Sequence, residues 1–331
     1  MRVGITFDLR QDYLDQGYGL EETAEFDRLE TIDGIADALL ELGHEAERIG
    51  NARQLLQALA EGQRWDLVFN IAEGLRGFGR EALVPCVLDA FDIPYTFSDP
   101  LVLSLCLHKG MCKRVIRDLG IPTADFRVIE CSEDVERVDV PFPLFAKPVA
   151  EGTGKGVSPA SRIADHEELR RVCLQLLLDY RQPVLVESYL PGREFTVGLL
   201  GSGPAARALG VMEVRFRGEA GDVYSYQSKE RYLDAVAYEI VTEPALREEV
   251  EQVALAAWRG LGCRDAGRVD IRADARGVPC FMEVNPLAGL NPVDSDLPIL
   301  GRLAGWSFVE LIGFIMDSAA SRVTDARCRA A

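Results

Sequence analysis

Along residues 2–100, short apolar runs alternate with amphipathic stretches, the rhythm of strand-helix-strand units built around a parallel sheet. Residues 3–7 predict the first strand. Ile32, Ile35, Ala36, Leu39 and Leu40 then recur at helical spacing up to Gly43, which stands where a helix C-cap glycine belongs. Residues 66–71 predict another strand, 81–91 another helix and 93–96 a short extended exit. In an open sheet of this kind ligands bind beyond the carboxyl ends of the strands, so a site is expected after Phe7 and after Ile71.

A second unit follows: a helix over 109–119, strands at 126–130 and 142–147, a Gly-rich loop, a helix over 165–180 and a strand at 184–187. Beyond residue 191 strands dominate, at 195–200, 208–216, 267–272 and 280–285, interrupted by a helix over 244–261. Residues 312–319 predict a closing helix and the last ten or so a frayed tail. The expected division is an N-terminal α/β domain (1–100), a central domain (101–190), a C-terminal α+β domain (191–320) and a tail (321–331).

Composition narrows the function. A chain of 331 residues, 48% hydrophobic and 27% charged, is an ordinary globular protein with a large core. Its net charge of -17 repels phosphate backbones and anionic headgroups, which excludes a broad nucleic-acid or lipid surface and requires a few placed cations for any phosphate ligand. The eight cysteines form no C-x-x-C pair and several lie in apolar runs, predicting reduced, buried thiols. The three histidines are scattered, which argues against imidazole metal chemistry. No apolar run reaches the roughly 18 residues of a membrane span, and the chain opens directly on a strand; the expected location is the cytoplasm.

Three stretches carry candidate chemistry. Arg268-Val-Asp270 and Met282-Glu283-Val-Asn285-Pro286 are strand-like runs joined by the turn Asp274-Ala-Arg-Gly277. Paired as a hairpin, they bring Asp270, Glu283 and Asn285 to one face, because side chains on one face recur every second residue. Three oxygen donors suit a hard divalent cation such as magnesium, whereas a solvated hairpin is the plainer alternative for acids in strands. The second stretch is Lys147-Pro148 at the end of an apolar strand, followed by Glu151-Gly152-Thr153-Gly154-Lys155-Gly156. Lys147 can set its ammonium against phosphates, and the loop offers backbone N–H groups from Gly152, Thr153 and Gly154. It lacks the familiar G-x-x-x-x-G-K-[ST] spacing, so an ordinary flexible turn stays open. In the third, Val184-Leu-Val-Glu187-Ser188-Tyr189-Leu190-Pro-Gly-Arg-Glu194-Phe-Thr-Val, a strand running into a turn presents the donors and acceptors an adenine edge needs, with Glu187 and Glu194 available for base and ribose; taken singly, a strand, a Pro-Gly turn and another strand is the plainer reading.

In this order the three stretches resemble the ATP-grasp superfamily, and Gly-x-Glu194-Phe-Thr-Val with Trp258-x-x-Leu-Gly-Cys-x-x-x-Gly-Arg-Val-Asp270 resembles its D-alanine-D-alanine ligase branch. The likeness spans about residues 1–318. It implies a three-domain ATP-grasp fold, α/β and α+β, with an N-terminal doubly wound parallel sheet and ATP between the last two domains. It implies a ligase that joins a small carboxylate to an amine through an acyl phosphate, giving ADP and phosphate, with two magnesium ions for which manganese can substitute. A homodimer is the family's expectation. Carried over by position, Lys109 and Lys147 would contact nucleotide phosphates, Glu187, Ser188, Tyr189 and Leu190 form the adenine hinge, and Glu194 meets the ribose. Lys229 would belong to a mobile loop that closes over the terminal phosphate. Asp270, Glu283 and Asn285 would be the metal ligands, Arg268 and the Gly289 N–H the oxyanion groups, and Ser295 the holder of the second substrate's carboxylate.

The departures concern the first substrate. D-alanine-specific members carry a histidine where this chain has Glu73, a loop serine where it has Thr153, and a tyrosine where Glu230 follows Lys229. The helix-start glutamate corresponds to Glu25, Asp27 or Glu30. These changes predict an altered first-substrate pocket. The other two expectations weighed are a D-alanine-D-alanine ligase proper and a nucleotide-binding module without catalysis; Arg268 and Lys229 argue against the latter, because a binding module needs no oxyanion groups.

Overall fold

The computed structural model describes residues 1–216 and 236–330. In chain order the elements are β1 (Arg2–Thr6), α1 (Arg10–Asp15), α2 (Leu29–Glu41), β2 (Glu45–Gly50), α3 (Ala52–Ala60), β3 (Leu67–Asn70), α4 (Leu83–Ala90), α5 (Pro100–Leu107), α6 (Lys109–Asp118), β4 (Phe126–Ile129), α7 (Ser132–Val135), β5 (Leu144–Pro148), β6 (Arg162–Ile163), α8 (His166–Tyr180) and β7 (Val184–Ser188). They continue with β8 (Glu194–Leu200), β9 (Arg207–Phe216), β10 (Val236–Ile240), α9 (Pro244–Leu261), β11 (Ala266–Ala273), β12 (Pro279–Asn285), α10 (Asp296–Leu303) and α11 (Phe308–Ala330).

The strands form three sheets. The first is parallel, in the order β2-β1-β3, and both of its faces are covered, as parallel sheets require. Val3, Ile5 and Phe69 pack on one face against Ile35 and Leu39 of α2 and Ile312 and Ile315 of α11; Val68 packs on the other against Leu55 of α3 and Leu88 of α4. The last helix therefore closes the core of the first sheet. The predicted end of α2 holds: Gly43 follows the helix at φ +80°, a conformation without penalty only for glycine.

The other two sheets are antiparallel, β4-β7-β5-β6 and β10-β9-β8-β11-β12. The larger one buries Phe195, Val197, Val269, Ile271 and Phe281 beneath α9, whose Trp258 is fully enclosed and donates its indole N–H to the Gly201 carbonyl at 3.0 Å. Asp265, fully buried just before β11, accepts hydrogen bonds from the Phe97 N–H (2.7 Å), the Ser318 hydroxyl (2.8 Å) and Arg322. One carboxylate thus joins the first unit, β11 and the last helix.

Several expectations need correcting. The last helix runs from Phe308 to Ala330, where a helix over 312–319 and a frayed tail were expected; Arg322, anchored on Asp265 and on the Tyr95 carbonyl, carries it on. The helix expected over 81–91 opens with a 3-10 turn at Arg80–Ala82. Cys86 and Cys131 are exposed, contrary to the expectation of uniformly buried thiols, because Cys86 lies on the outer face of α4. No single helix among the described residues is long and apolar enough to cross a membrane.

Candidate active site between the two antiparallel sheets

β11 and β12 pair as the sequence predicts. Arg268 lies opposite Asn285 and Asp270 opposite Glu283, so all four residues share a face. Just beyond this quartet the register slips, Ile271 pairing with Phe281, which leaves Met282 as a bulge residue. Met282 and its neighbour Glu283 consequently both line the cleft, where strict alternation would send one of them away. Asp270 accepts from the Thr196 hydroxyl (2.9 Å), from Arg268 and, at 3.4 Å, from the Asn285 amide. Arg268 Nε lies 3.6 Å from Asp296.

Lysines from the smaller sheet's side face this hairpin. Lys109, at the start of α6, and Lys147, near the end of β5, set their ammoniums 3.7 and 3.6 Å from Glu283 Oε2. Lys109 also donates to the Glu151 carbonyl at 2.6 Å. Burial pushes the Glu283 carboxyl up, but Lys109, Lys147 and Arg268 outweigh it and hold the group at about 2. Asp270 goes the other way: burial raises it, and Glu283 and Asp296 add to that against the opposing Arg268. The two acids of one hairpin are thus displaced in opposite directions. Among the described residues no three acids, histidines or cysteines are arranged to hold a metal ion by themselves. The donors are two carboxylates and an amide, which fits magnesium, an ion that takes one or two carboxylates and leaves its remaining positions to water and phosphate.

The turn after β7 borders the same cleft. The Ser188 N–H donates to Asp125 O (2.8 Å) and the Tyr189 N–H to Pro143 O (3.0 Å), while the Leu190 N–H has no partner among the described residues. The Glu187 carboxylate is engaged by Lys113 (2.6 Å) and Lys147 (3.2 Å), so it is not free for a base edge. The Tyr189 ring is flanked by the guanidiniums of Arg162 and Arg272. Phe145, Val214 and Met282 give the cleft apolar walls, and Glu194 lines it with Arg272 at 3.2 Å.

The Gly-rich loop is fastened to the N-terminal unit. The Gly152 N–H donates to Glu25 at 2.7 Å, and a Cβ at position 152 would lie 2.4 Å from that carboxylate oxygen, so a larger residue would have to push the Glu25 carboxylate aside. Glu25 also binds Arg80 (2.9 Å) and Lys155 (2.7 Å), and Lys155 reaches Glu151 as well (2.5 Å). Thr153 has φ +51°, and its hydroxyl, which is buried, has no partner among the described residues. Of the three helix-start candidates it is Glu25 that meets the loop. Asp27 is held beside Asp8 and Glu30 is exposed on α2. Glu73 stands beside Glu81 and Glu25, with the next N–H, that of Gly74, donating to Asp8 at 2.8 Å.

At the other end, Gly289 and Ser295 are neighbours: a Cβ on Gly289 would lie 2.9 Å from Ser295 Oγ. The Gly289 N–H has no partner among the described residues, and Ser295 Oγ accepts from the Asn291 N–H at 3.0 Å. Lys229 and Glu230 lie outside the described residues. The structure also brings in groups that were not singled out from sequence: Arg80, Glu81, Lys113, Lys155, Thr196 and Asp296. Two signals were available, since Lys113 follows Lys109 by one helical turn and Lys155 lies inside the Gly-rich loop.

The buried acids predict a pH dependence of stability. Burial, reinforced by Asp8, pushes Asp27 up to about 8; burial, reinforced by Glu25 against the opposing Arg80, pushes Glu81 up to about 7. Such groups keep a proton in the fold that the unfolded chain releases near pH 4 to 5, so their contribution falls as pH rises from there to about 8. Glu283, held low, contributes fully above its ordinary value and loses its contribution only in acid. The melting temperature should therefore fall between pH 5.5 and 8, and Glu81→Gln with Asp27→Asn should flatten the decline. A flat or rising profile for the unaltered chain in thermal melts would contradict these assignments.

Residues 115–317 match the family model described as D-ala D-ala ligase C-terminus. A D-alanine-D-alanine ligase from Bordetella avium is 32% identical over 88% of this chain and 89% of its own length. Two crystal structures of D-alanine-D-alanine ligase from Bacillus anthracis, the second complexed with ATP, share the fold with TM-scores of 0.76 and 0.75 at 23% and 22% identity. Each covers 98% of this chain and 99% of its own.

Proposed function

Since the chain belongs to the D-alanine-D-alanine ligase family, and is thereby an ATP-dependent enzyme that forms a carbon-nitrogen bond, we propose that its cleft joins a small carboxylic acid to an amine through an acyl phosphate. The observation that carries this is the one-faced quartet Arg268, Asp270, Glu283 and Asn285 set against Lys109 and Lys147. An acidic protein has here gathered the cations a triphosphate needs, next to oxygen donors suited to its metal.

The roles follow from position. Adenine lies between Phe145, Val214 and Met282 with its edge on the Leu190 N–H, and Glu194 accepts from the ribose. Lys109 and Lys147 hold phosphate oxygens, exchanging Glu283 for them as the nucleotide enters. Asp270, Glu283 and Asn285 would hold magnesium, which when bound supplies positive charge against the phosphates; manganese has the same oxygen preference. The acid's carboxylate oxygen attacks the terminal phosphorus of ATP, releasing ADP. The amine then attacks the acyl carbon, and phosphate leaves with the electron pair of the acyl C–O bond. Arg268 and the Gly289 N–H steady the oxyanion between these steps, and Ser295 orients the carboxylate of the amine substrate. Lys229 is assigned to the terminal phosphate by its position in the sequence. The proposed location is the cytoplasm, where ATP is at hand, and a homodimer is its expected form.

D-alanine is not the preferred first substrate in this reading, because Glu73 and Thr153 replace groups suited to it. The names of the relatives favour the alternative, a D-alanine-D-alanine ligase proper. Hydroxylamine tests the chemistry: with ATP, magnesium and the right acid it should intercept the acyl phosphate as a hydroxamate, with ADP released. Release of AMP and pyrophosphate would sink the mechanism.

A further inference from the structure

At the end of the cleft assigned to the nucleoside, one cation touches three pieces of the wall. Arg272 of β11 lies directly across the ladder from Glu194 of β8. Its Nη1 donates to Glu194 Oε2 at 3.2 Å and its Nε to the Gly192 carbonyl at 3.3 Å, while its guanidinium carbon stands 5.4 Å from the centre of the Tyr189 ring. Arg272 and Glu194 both line the cleft, and their side chains are only 12% and 18% exposed. The turn after β7 is also stitched to β11 through its backbone: the Gly192 N–H donates to the Ala273 carbonyl at 3.0 Å and the Ala273 N–H to the Arg193 carbonyl at 2.9 Å. A Cβ at position 192 would lie 2.6 Å from the Ala273 carbonyl oxygen, a backbone atom, so this close approach needs glycine.

A guanidinium is suited to this place because it is planar and carries its donors in a fixed fork. It can hold a carboxylate and a carbonyl at once while it lies over an aromatic ring. Glu194 by itself would have its side-chain torsions to immobilise when a ligand binds. Held by Arg272 it has already lost that freedom, which is the ordinary gain of preorganisation. The bond from Arg272 takes one of the roughly four lone-pair sites of the carboxylate, and Glu194 Oε1 has no partner among the described residues. The acid is therefore fixed relative to the turn and still open to donors from a ligand.

We propose that Arg272 is a specificity-determining positioning residue: by holding Glu194 and the turn after β7 as one piece, it makes the cleft select a ribonucleotide over a deoxyribonucleotide. A hydroxyl missing from the ligand leaves an oriented, largely buried carboxylate without its donor, and that loss is felt in affinity. A carboxylate free to swing turns to water instead and loses little. Selection at the sugar thus depends on the cation behind the acid as much as on the acid. The assignment rests on the ligase reading, which sets the ribose hydroxyls against Glu194; what it adds is the dependence on Arg272, which itself meets no sugar atom in this account.

Nucleotide binding reads this without knowledge of either substrate. The full chain would be titrated calorimetrically with ADP, 2'-deoxy-ADP and 3'-deoxy-ADP, each with magnesium. The unaltered chain should bind ADP about tenfold or more tighter than at least one of the deoxy forms. Arg272→Met should weaken ADP about tenfold and leave the disfavoured deoxy form within about twofold of its former affinity, so that the preference collapses. Glu194→Ala should do the same, and combining the two should change the preference no further, as expected of groups that act as a unit. Arg272→Lys, which keeps the charge beside Glu194 should the methionine variant fail to fold, should lose part of the preference, because an ammonium lacks the fork. A merely structural role for Arg272 would weaken all three nucleotides alike. That outcome, a preference intact in the Arg272 variants, or no preference in the unaltered chain would overturn the proposal and leave the ligase reading standing. Failure of the unaltered chain to bind ADP at all would sink the ligase reading and the proposal with it.

Discussion

Glu283→Ala and Asn285→Ala are each expected to reduce ATP-dependent ligation about a thousandfold or more, with the melting temperature nearly unchanged. The expectation follows from where the two side chains end. Both sit on the open face of the β11-β12 hairpin, outside the apolar cluster beneath it, so neither supports the core. Glu283 does have a second role, as the acceptor for Lys109 and Lys147. Removing it leaves Lys147 with Glu187 and Lys109 with the Glu151 carbonyl, so neither cation is stranded and the fold tolerates the change. Without Glu283 or Asn285 the metal would lose one of its three protein donors, and the charge it brings to the phosphates would no longer be fixed. Phosphate release at saturating ATP, titrated with magnesium, reads this directly. Activity near that of the unaltered enzyme at ordinary magnesium would show that these residues are not the ligands. Partial recovery at high magnesium would support the assignment, because a weakened site refills by mass action.

How far such a site is legible in sequence depends on which interactions build it. The β11-β12 hairpin could be read because strand periodicity and the turn at 274–277 fix which residues share a face, and pairing across the turn is a local matter. The bulge at Met282 could not, since a register slip is settled by the neighbouring strands rather than by the two residues involved. The loop at 152–156 was recognisable by its glycines, but its fastening was not: Gly152 meets Glu25 across 127 positions of chain, and Arg80 meets Glu25 across 55. No periodicity encodes such meetings. For the same reason Glu25, Asp27 and Glu30 stayed equivalent in sequence, and only the fold shows that Glu25 reaches the loop. Thin segments escaped notice too. β2 alternates charged residues with few apolar ones and reads as polar coil, yet it pairs along its whole length with β1 as an edge strand. The closing helix α11 was read too short because its last turns lack the apolar face that marked its beginning.

Arg268→Lys is the sharpest test of how the cleft handles developing charge. Arg268 occupies a half-buried position between Asp270 and Asp296; desolvation lowers its pKa, but the two acids outweigh it and raise the already high value, so it is a permanent cation. Removing it outright would leave two acids facing each other without compensation, and a loss of activity would then be confounded with a loss of fold. Lysine keeps the charge and replaces the planar fork of donors by a single ammonium on a flexible stem. If Arg268 served only as a counter-ion to Asp270, lysine would suffice and turnover would be nearly retained. If it holds the oxyanion, one donor must point at the reacting carbon's oxygen while another stays on Asp270, which an ammonium cannot reproduce at two separated acceptors. The expected result is a kcat lower by about a hundredfold to a thousandfold, the range for loss of one aligned oxyanion donor. The KM for ATP should stay within about threefold, because Lys109 and Lys147 hold the phosphates independently of this side chain. Hydroxamate trapping separates the two chemical steps, since the acyl phosphate forms before the amine attacks its carbonyl. Retained kcat with a raised KM for either substrate would assign Arg268 to binding and remove it from the oxyanion site, leaving the Gly289 N–H as the group to test next.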